Sequence, residues 1–188
     1  MKRNTVLLLA VFLGILTGCS PSREKRINQI NGMEKRLFAP DSYSFNKEKA
    51  DSLVAMYLDF IADNPKDTLS AGYLFKAANI VMNSGDGNKA LGYFDQYIRD
   101  FPDGQKVSMC LFFKGFVYEN MLKDLDKARE TYLQFIEKYP KDDFADDAQM
   151  ALLNLGKTPE MLIKEFEARQ KADSLRIADS LVKVKKKH

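Results

Sequence analysis

Histidine is all but missing from this sequence: the only one, His188, is the last residue. That excludes most metal sites and nearly all imidazole-based acid–base or triad chemistry. Tryptophan is absent, and cysteine is limited to Cys19 and Cys110. No serine sits in a nucleophile motif, and neither a phosphate loop nor a dinucleotide glycine fingerprint appears. Carboxylates are plentiful, yet no pair is set apart by its surroundings. The sequence therefore predicts no enzyme, no cofactor, no metal and no small-molecule substrate. Strand-type alternation is also lacking: from about residue 46 the apolar residues recur at helical spacing.

A charge excess of one sign is missing too. The net charge of +3 comes from 29 basic and 26 acidic residues. Without Lys2 and Arg3 the balance is 27 to 26. Lys183, Lys185, Lys186 and Lys187 hold four of those positives, so residues 19–182 carry 23 basic and 26 acidic side chains. A nucleic-acid surface needs a clustered basic face, and this mildly acidic body offers none.

One long apolar run is present. Lys2 and Arg3 precede Val6 to Leu16, an apolar stretch broken only by Gly14. It is shorter than the about 20 residues a spanning helix needs, and it ends in Leu16-Thr17-Gly18-Cys19. These residues resemble the bacterial lipobox. The resemblance implies a signal peptide over 1–18, cleavage before Cys19, a diacylglyceryl group on its thiol and an acylated new N-terminus. Two or more acyl chains anchor a protein stably, at about 0.8 kcal/mol per buried methylene. With Cys19 lipidated, Cys110 has no disulfide partner, and stability must come from packing. Ser20 is not the inner-membrane retention Asp, and no acidic run follows Cys19. The resemblance thus implies the outer membrane, with the domain facing the periplasm and the membrane reached through the lipid.

The mature chain has one domain's length. Residues 19–23 read as a tether. Residues 24–45 read as an N-terminal helix (Ile27, Ile30, Glu34, Leu37) and an irregular linker from Ala39-Pro40. A helical body over 46–166 and a charged tail over 167–188 follow. Prolines punctuate the body at Pro65, Pro102 and Pro140, 37 and 38 residues apart. Twelve, eight and five residues before them stand Leu53, Tyr57 and Phe60; Ala90, Phe94 and Tyr97; Ala128, Tyr132 and Phe135. A small residue lets helices approach, and an aromatic one turn later fills the space between them. Upstream, Leu74, Ala77, Ala78 and Val81 suit a first helix, as do Gly115 and Tyr118. The second of these units has one extra residue, placed in the turn Asn120 to Asp124.

These registers resemble the tetratricopeptide repeat (TPR). That resemblance implies an all-α, right-handed helical solenoid of about three hairpins with flanking helices. Anchor and repeats together resemble the BamD-like lipoproteins of the outer-membrane β-barrel assembly machinery, and also the TPR protein linked to the Tol-Pal system and cell division. Either implies a non-catalytic scaffold holding envelope proteins or peptide segments. The TPR groove is lined by first helices. Here that face would carry Phe75, Asn79 and Met82, then Met109, Phe112, Phe116 and Glu119 with Asn120 beside it. Exposed Phe and Met mark interaction surfaces. The alternative is that the 24–38 helix or the long C-terminal helix covers them as core.

Three features have plainer readings. Cys110 lies between Lys106 and Lys114, which would activate its thiol; a small buried hydrophobe is the favoured reading. Asp142, Asp143, Asp146 and Asp147 suit a helix N-terminus better than a cation site. The lysine-rich end reads as a solvated tail rather than a lipid-binding one. After Gly156, Thr158-Pro159-Glu160 starts a last helix, with Leu162 and Phe166 expected to dock on the repeat before it.

Overall fold

The computed structural model describes residues 21–38 and 46–185, with side chains described as far as Ile177. The segment 1–18 expected to be a signal peptide, Cys19, the 39–45 linker and the final Lys186-Lys187-His188 lie outside the described residues. Eight α-helices follow in order: α1 (Arg23–Leu37), α2 (Lys47–Asp63), α3 (Ser70–Asn83), α4 (Gly87–Asp100), α5 (Val107–Val117), α6 (Leu125–Lys138), α7 (Ala145–Asn154) and α8 (Pro159–Lys185). Among the described residues every regular element is helical. No described helix is long and apolar enough to cross a membrane. From α1 to α7 each helix packs on the next, and α8 joins none of these packed pairs.

The helix ends show why the chain takes this path. Asn64, Phe101 and Tyr139 close α2, α4 and α6 with nearly one conformation, φ/ψ of −134/57°, −131/61° and −130/54°. Each amide donates to the carbonyl four residues back, of Phe60, Tyr97 and Phe135. A proline follows each, and proline in helix interior would lose a hydrogen bond and clash. Each carbonyl then accepts from the amide three residues on, at Asp67, Gly104 and Asp142. The following helices α3, α5 and α7 begin five residues past each proline, at Ser70, Val107 and Ala145. The helices α2, α4 and α6 start at side-chain caps, where Asn46, Asp86 and Asp124 accept from the amides of Lys49, Lys89 and Lys127. Such a cap satisfies an amide that the first turn leaves without a partner.

Leu53, Tyr57, Ala78, Ala90, Phe94, Gly115, Ala128 and Tyr132 are all buried; Tyr118 is half-buried, and Pro102 and Pro140 stand exposed at the turns. Burying a large apolar side chain contributes about 1.5–3 kcal/mol, so the stack of Tyr57, Phe60, Phe94, Tyr132 and Phe135 dominates cohesion. Gly115 shows why size matters at its position. A Cβ there would lie 2.5 Å from Cε1 of Tyr132, so only glycine lets α5 and α6 come this close.

The extra residue of the α5–α6 unit is not taken up by the turn alone, as the sequence suggested. It lies in a π-helical turn at Tyr118–Leu122, continuous with α5. Such a turn adds one residue to a helix without ending it. The matching hydrogen bonds record the insertion. The Asp86 amide reaches back five residues to the Val81 carbonyl, whereas the Asp124 amide reaches back six to Tyr118. Lys123 then takes φ 57°, where the α3–α4 turn has Gly85 at φ 90°.

Candidate functional site

The helices α1, α3 and α5 share one face, and its residues fall into two groups. The first is a cross-helix polar network. The Tyr57 hydroxyl of α2 donates to Glu34 Oε1 of α1 at 2.6 Å. Lys76 Nζ of α3 donates to the same oxygen at 2.8 Å. Burial pushes the Glu34 carboxyl upward, but the bonds from Lys76 and Tyr57 outweigh it and hold its pKa below the ordinary carboxylate value. Burial and the Glu34 bond push the Tyr57 hydroxyl upward. Two further ion pairs, Arg23 with Asp67 and Arg26 with Asp63, fasten α1 to the end of α2 and the turn after it. Thus α1 takes the place of a first helix for α2, although residues 39–45 separate them in sequence.

The same bond recurs two repeat units later, where Tyr132 of α6 donates to Glu119 Oε2 at 2.9 Å. Tyr57 and Tyr132 occupy equivalent places, eight residues before Pro65 and Pro140. In the middle unit that place is Phe94, with no hydroxyl, and the residue in register with Glu119 is Met82. Glu119 is therefore a bond acceptor within the fold as well as a residue of the shared face.

The second group is aromatic. Phe75 lies 6.1 Å from Tyr97 and 6.3 Å from Phe113, centroid to centroid, with Lys106 Nζ over its ring. Phe112 touches Phe113, Tyr132, Phe135 and Phe144, stacking on the last at 4.8 Å. This corrects the expectation of an exposed Phe and Met patch. Phe75, Phe112, Met82 and Met109 are half-buried, because aromatic rings of successive units interlock along the face. Of the residues proposed for the groove only Phe116, at 40%, and Asn120 are well exposed. Asn79 and Asn120 donate to carbonyls of their own helices, at Phe75 and Phe116.

One open cleft, of about 310 Å³, is lined in part by Glu119 and Asn120. Another, of about 390 Å³, lies between α1 and α3 and is lined by Glu34, Phe38, Tyr57, Lys76, Asn79, Ile80 and Asn83. Phe38, at the end of α1, is 63% exposed at its rim. Only Asn79 of this cleft was legible as a groove residue. Lys76 and Asn83 flank Phe75 and Asn79 on the same helix, a signal at one-turn spacing. Glu34 and Phe38 required knowing that α1 returns beside α3.

The long C-terminal helix does not cover this face, since the described side chains of α8 from Pro159 to Ile177 are exposed except Glu165, whereas α1 borders it through the Glu34–Lys76 bond. Leu162 and Phe166 therefore do not dock on the preceding repeat as expected. Cys110 is buried, and burial pushes its thiol up to about 12 against the opposing charge of Lys106. Asp142 accepts from the Phe144 amide at 3.0 Å, a turn bond, and Asp146 and Asp147 sit in the first turn of α7.

A tetratricopeptide-repeat family model matches residues 111–142. That span runs from α5 through the π-turn and α6 to Asp142, and the α3–α4 unit repeats its start, cap and closing turn. The fold is an all-α, TPR-like helical solenoid. A repeat of this kind suggests a protein-interaction scaffold. No curated protein matches the chain.

Proposed function

We propose that this chain is a lipid-anchored, non-catalytic scaffold that holds envelope proteins or peptide segments at the periplasmic face of the outer membrane. The lipobox-like Leu16-Thr17-Gly18-Cys19 supports the anchor. The observation that carries the binding role is the open cleft between α1 and α3. It pairs apolar Phe38 and Ile80 with the amides of Asn79 and Asn83 and the charges of Glu34 and Lys76. Apolar walls with a few placed polar groups are the usual make-up of a binding site. Phe116 and Asn120 extend the same face toward α5. Participation in outer-membrane protein assembly belongs to this reading.

Two measurements test it. Cys19→Ser should release the protein from membranes and abolish palmitate labelling; retention with label elsewhere would remove the anchor. A photocrosslinker at Asn83 or Phe116 should capture a defined envelope protein that one at exposed Gln134 does not. Equal yields from all three positions would sink the cleft as the binding surface. A second reading, a spacer or Tol-Pal-type coordinator acting through its last helix, is favoured by the exposure of α8. In that case the captured protein would come from positions along α8 and not from Asn83.

A further inference from the structure

Each first helix of the solenoid leaves a place for a second one, and among the described residues no helix fills that place on α7. Eight residues after the starts of α3, α5 and α7 stand Ala78, Gly115 and Leu153. Ala78 and Gly115 are buried under α4 and α6, and Gly115 lies directly on the Tyr132 ring. Leu153 is 66% exposed, and Met150 on the same helix is 54% exposed.

The helix that would fill the place is present in the chain. Thr158 caps α8 as Asp86 and Asp124 cap α4 and α6, accepting from the amide three residues on, here Met161. Eight residues after the three caps come Phe94, Tyr132 and Phe166, and four after them come Ala90, Ala128 and Leu162. The α8 spacing is thus that of a packed second helix, with Leu153 and Phe166 in the places of Gly115 and Tyr132. Large Leu153 and Leu162 stand where the other hairpins carry Ala or Gly, so the two helices would pack farther apart. Yet Phe166 is 60% exposed, while Phe94 and Tyr132 are at 0% and 1%.

The connection explains the mismatch. From Ala78 to its cap Asp86 is 8 residues, and from Gly115 to Asp124 is 9. From Leu153 to Thr158 it is only 5, because α7 has 10 residues where α3 has 14. A link short by about one turn cannot fold α8 back in the register of the other hairpins. Leu155 (φ −55°, ψ 121°) and Gly156 (φ +78°) instead lead α8 away. A short connection of this kind favours exchange of the element between copies.

We propose that two copies of this chain exchange α8, so that Phe166 and Leu162 of one copy cover Leu153 and Met150 of the other and continue its helical stack. The exchange uses the opposite end of the solenoid from the α1–α3 cleft and does not rest on the binding role assigned there.

The full chain, in its membrane or in detergent, tests this with disulfides. Leu153→Cys and Phe166→Cys are carried on separate, co-expressed chains and oxidised, with the parent chain as background for Cys19 and Cys110. A covalent dimer bridging the two substituted positions is expected. When both substitutions share one chain, a bridge confined within that chain would overturn the proposal in favour of closure onto its own α7. No bridge above background would overturn it in favour of a free α8 or a different partner. Inserting three residues after Gly156 restores the usual spacing. It should then move the bridge into one chain, lowering the intermolecular product by about tenfold or more through the higher local concentration. An unchanged intermolecular product would overturn the role given to the short link.

Discussion

Gly115 and Tyr132 meet so closely that a Cβ on Gly115 would stand 2.5 Å from the ring. Overpacking of this kind costs about 1–3 kcal/mol, more than the roughly 1 kcal/mol alanine gains in helix propensity. Gly115→Ala should therefore lower the urea midpoint. Gly92, exposed within α4 with nothing within 4 Å, is the contrast. Gly92→Ala should raise that midpoint, stabilising the fold by about 0.5–1 kcal/mol. Equal effects at the two positions would contradict the packing described.

The repeated Tyr–Glu bond should be measurable at both sites. Tyr57→Phe or Tyr132→Phe removes one hydrogen bond from a buried hydroxyl to a half-buried carboxylate, worth about 1–2 kcal/mol. Phe94→Tyr adds a hydroxyl in a buried place where Met82, not a glutamate, stands in register, and should destabilise. A stabilising Phe94→Tyr would show that the middle unit hides an acceptor.

Acid dependence follows from Glu34. Its pKa is lower folded than unfolded. Its stabilising contribution is therefore fully present above its unfolded value, near 4.5, and is lost as pH falls through the lower folded value. Thermal unfolding of Glu34→Gln compared with the parent chain should differ at pH 7 and converge toward pH 3. A difference that widens in acid would reverse the assignment.

Lys123 holds a left-handed backbone conformation that side chains with a Cβ adopt at a cost of about 1–2 kcal/mol. Lys123→Gly should stabilise by up to about 1 kcal/mol, part of the gain being offset by the added freedom of the unfolded chain. Gly85→Lys should have the opposite sign. Chemical denaturation of both variants checks the pair.

Cys110, buried and with its thiol pushed up to about 12, should be alkylated at pH 8 only as fast as the fold opens. Rapid labelling of the native protein would restore the activated reading suggested by Lys106 and Lys114.

Much of this architecture was legible because it repeats. The residues Ala90 and Ala128, Phe94 and Tyr132 announce themselves by a shared distance to the next proline, and local chemistry alone sets those caps and turns. The extra residue of the α5–α6 unit could be counted but not located, since a π-turn and a longer loop have the same length. Phe75 and Phe112 lie on α3 and α5, the helices their spacing predicts. Their exposure was not readable, because helical spacing says which way a ring points but not that Phe113 and Phe144 from adjoining elements fill the space before it. Glu34 is legible as part of the α1 spacing but not as an acceptor, for a related reason: its partners, Tyr57 and Lys76, are 23 and 42 residues away. Docking of Leu162 and Phe166 was expected from residue type alone, and the shortness of the Leu155–Thr158 link decided otherwise.

The three joints at Asn64, Phe101 and Tyr139 share one backbone geometry to within a few degrees. They are interchangeable parts. A gene segment of one period, gained or lost between two prolines, would rejoin a helix end to a turn of the same shape. The rod can therefore lengthen or shorten in whole units without redesign of any junction, each packed helix adding about 8–10 Å. The length of the stack is then set by the number of copies, a quantity that duplication alters in a single event.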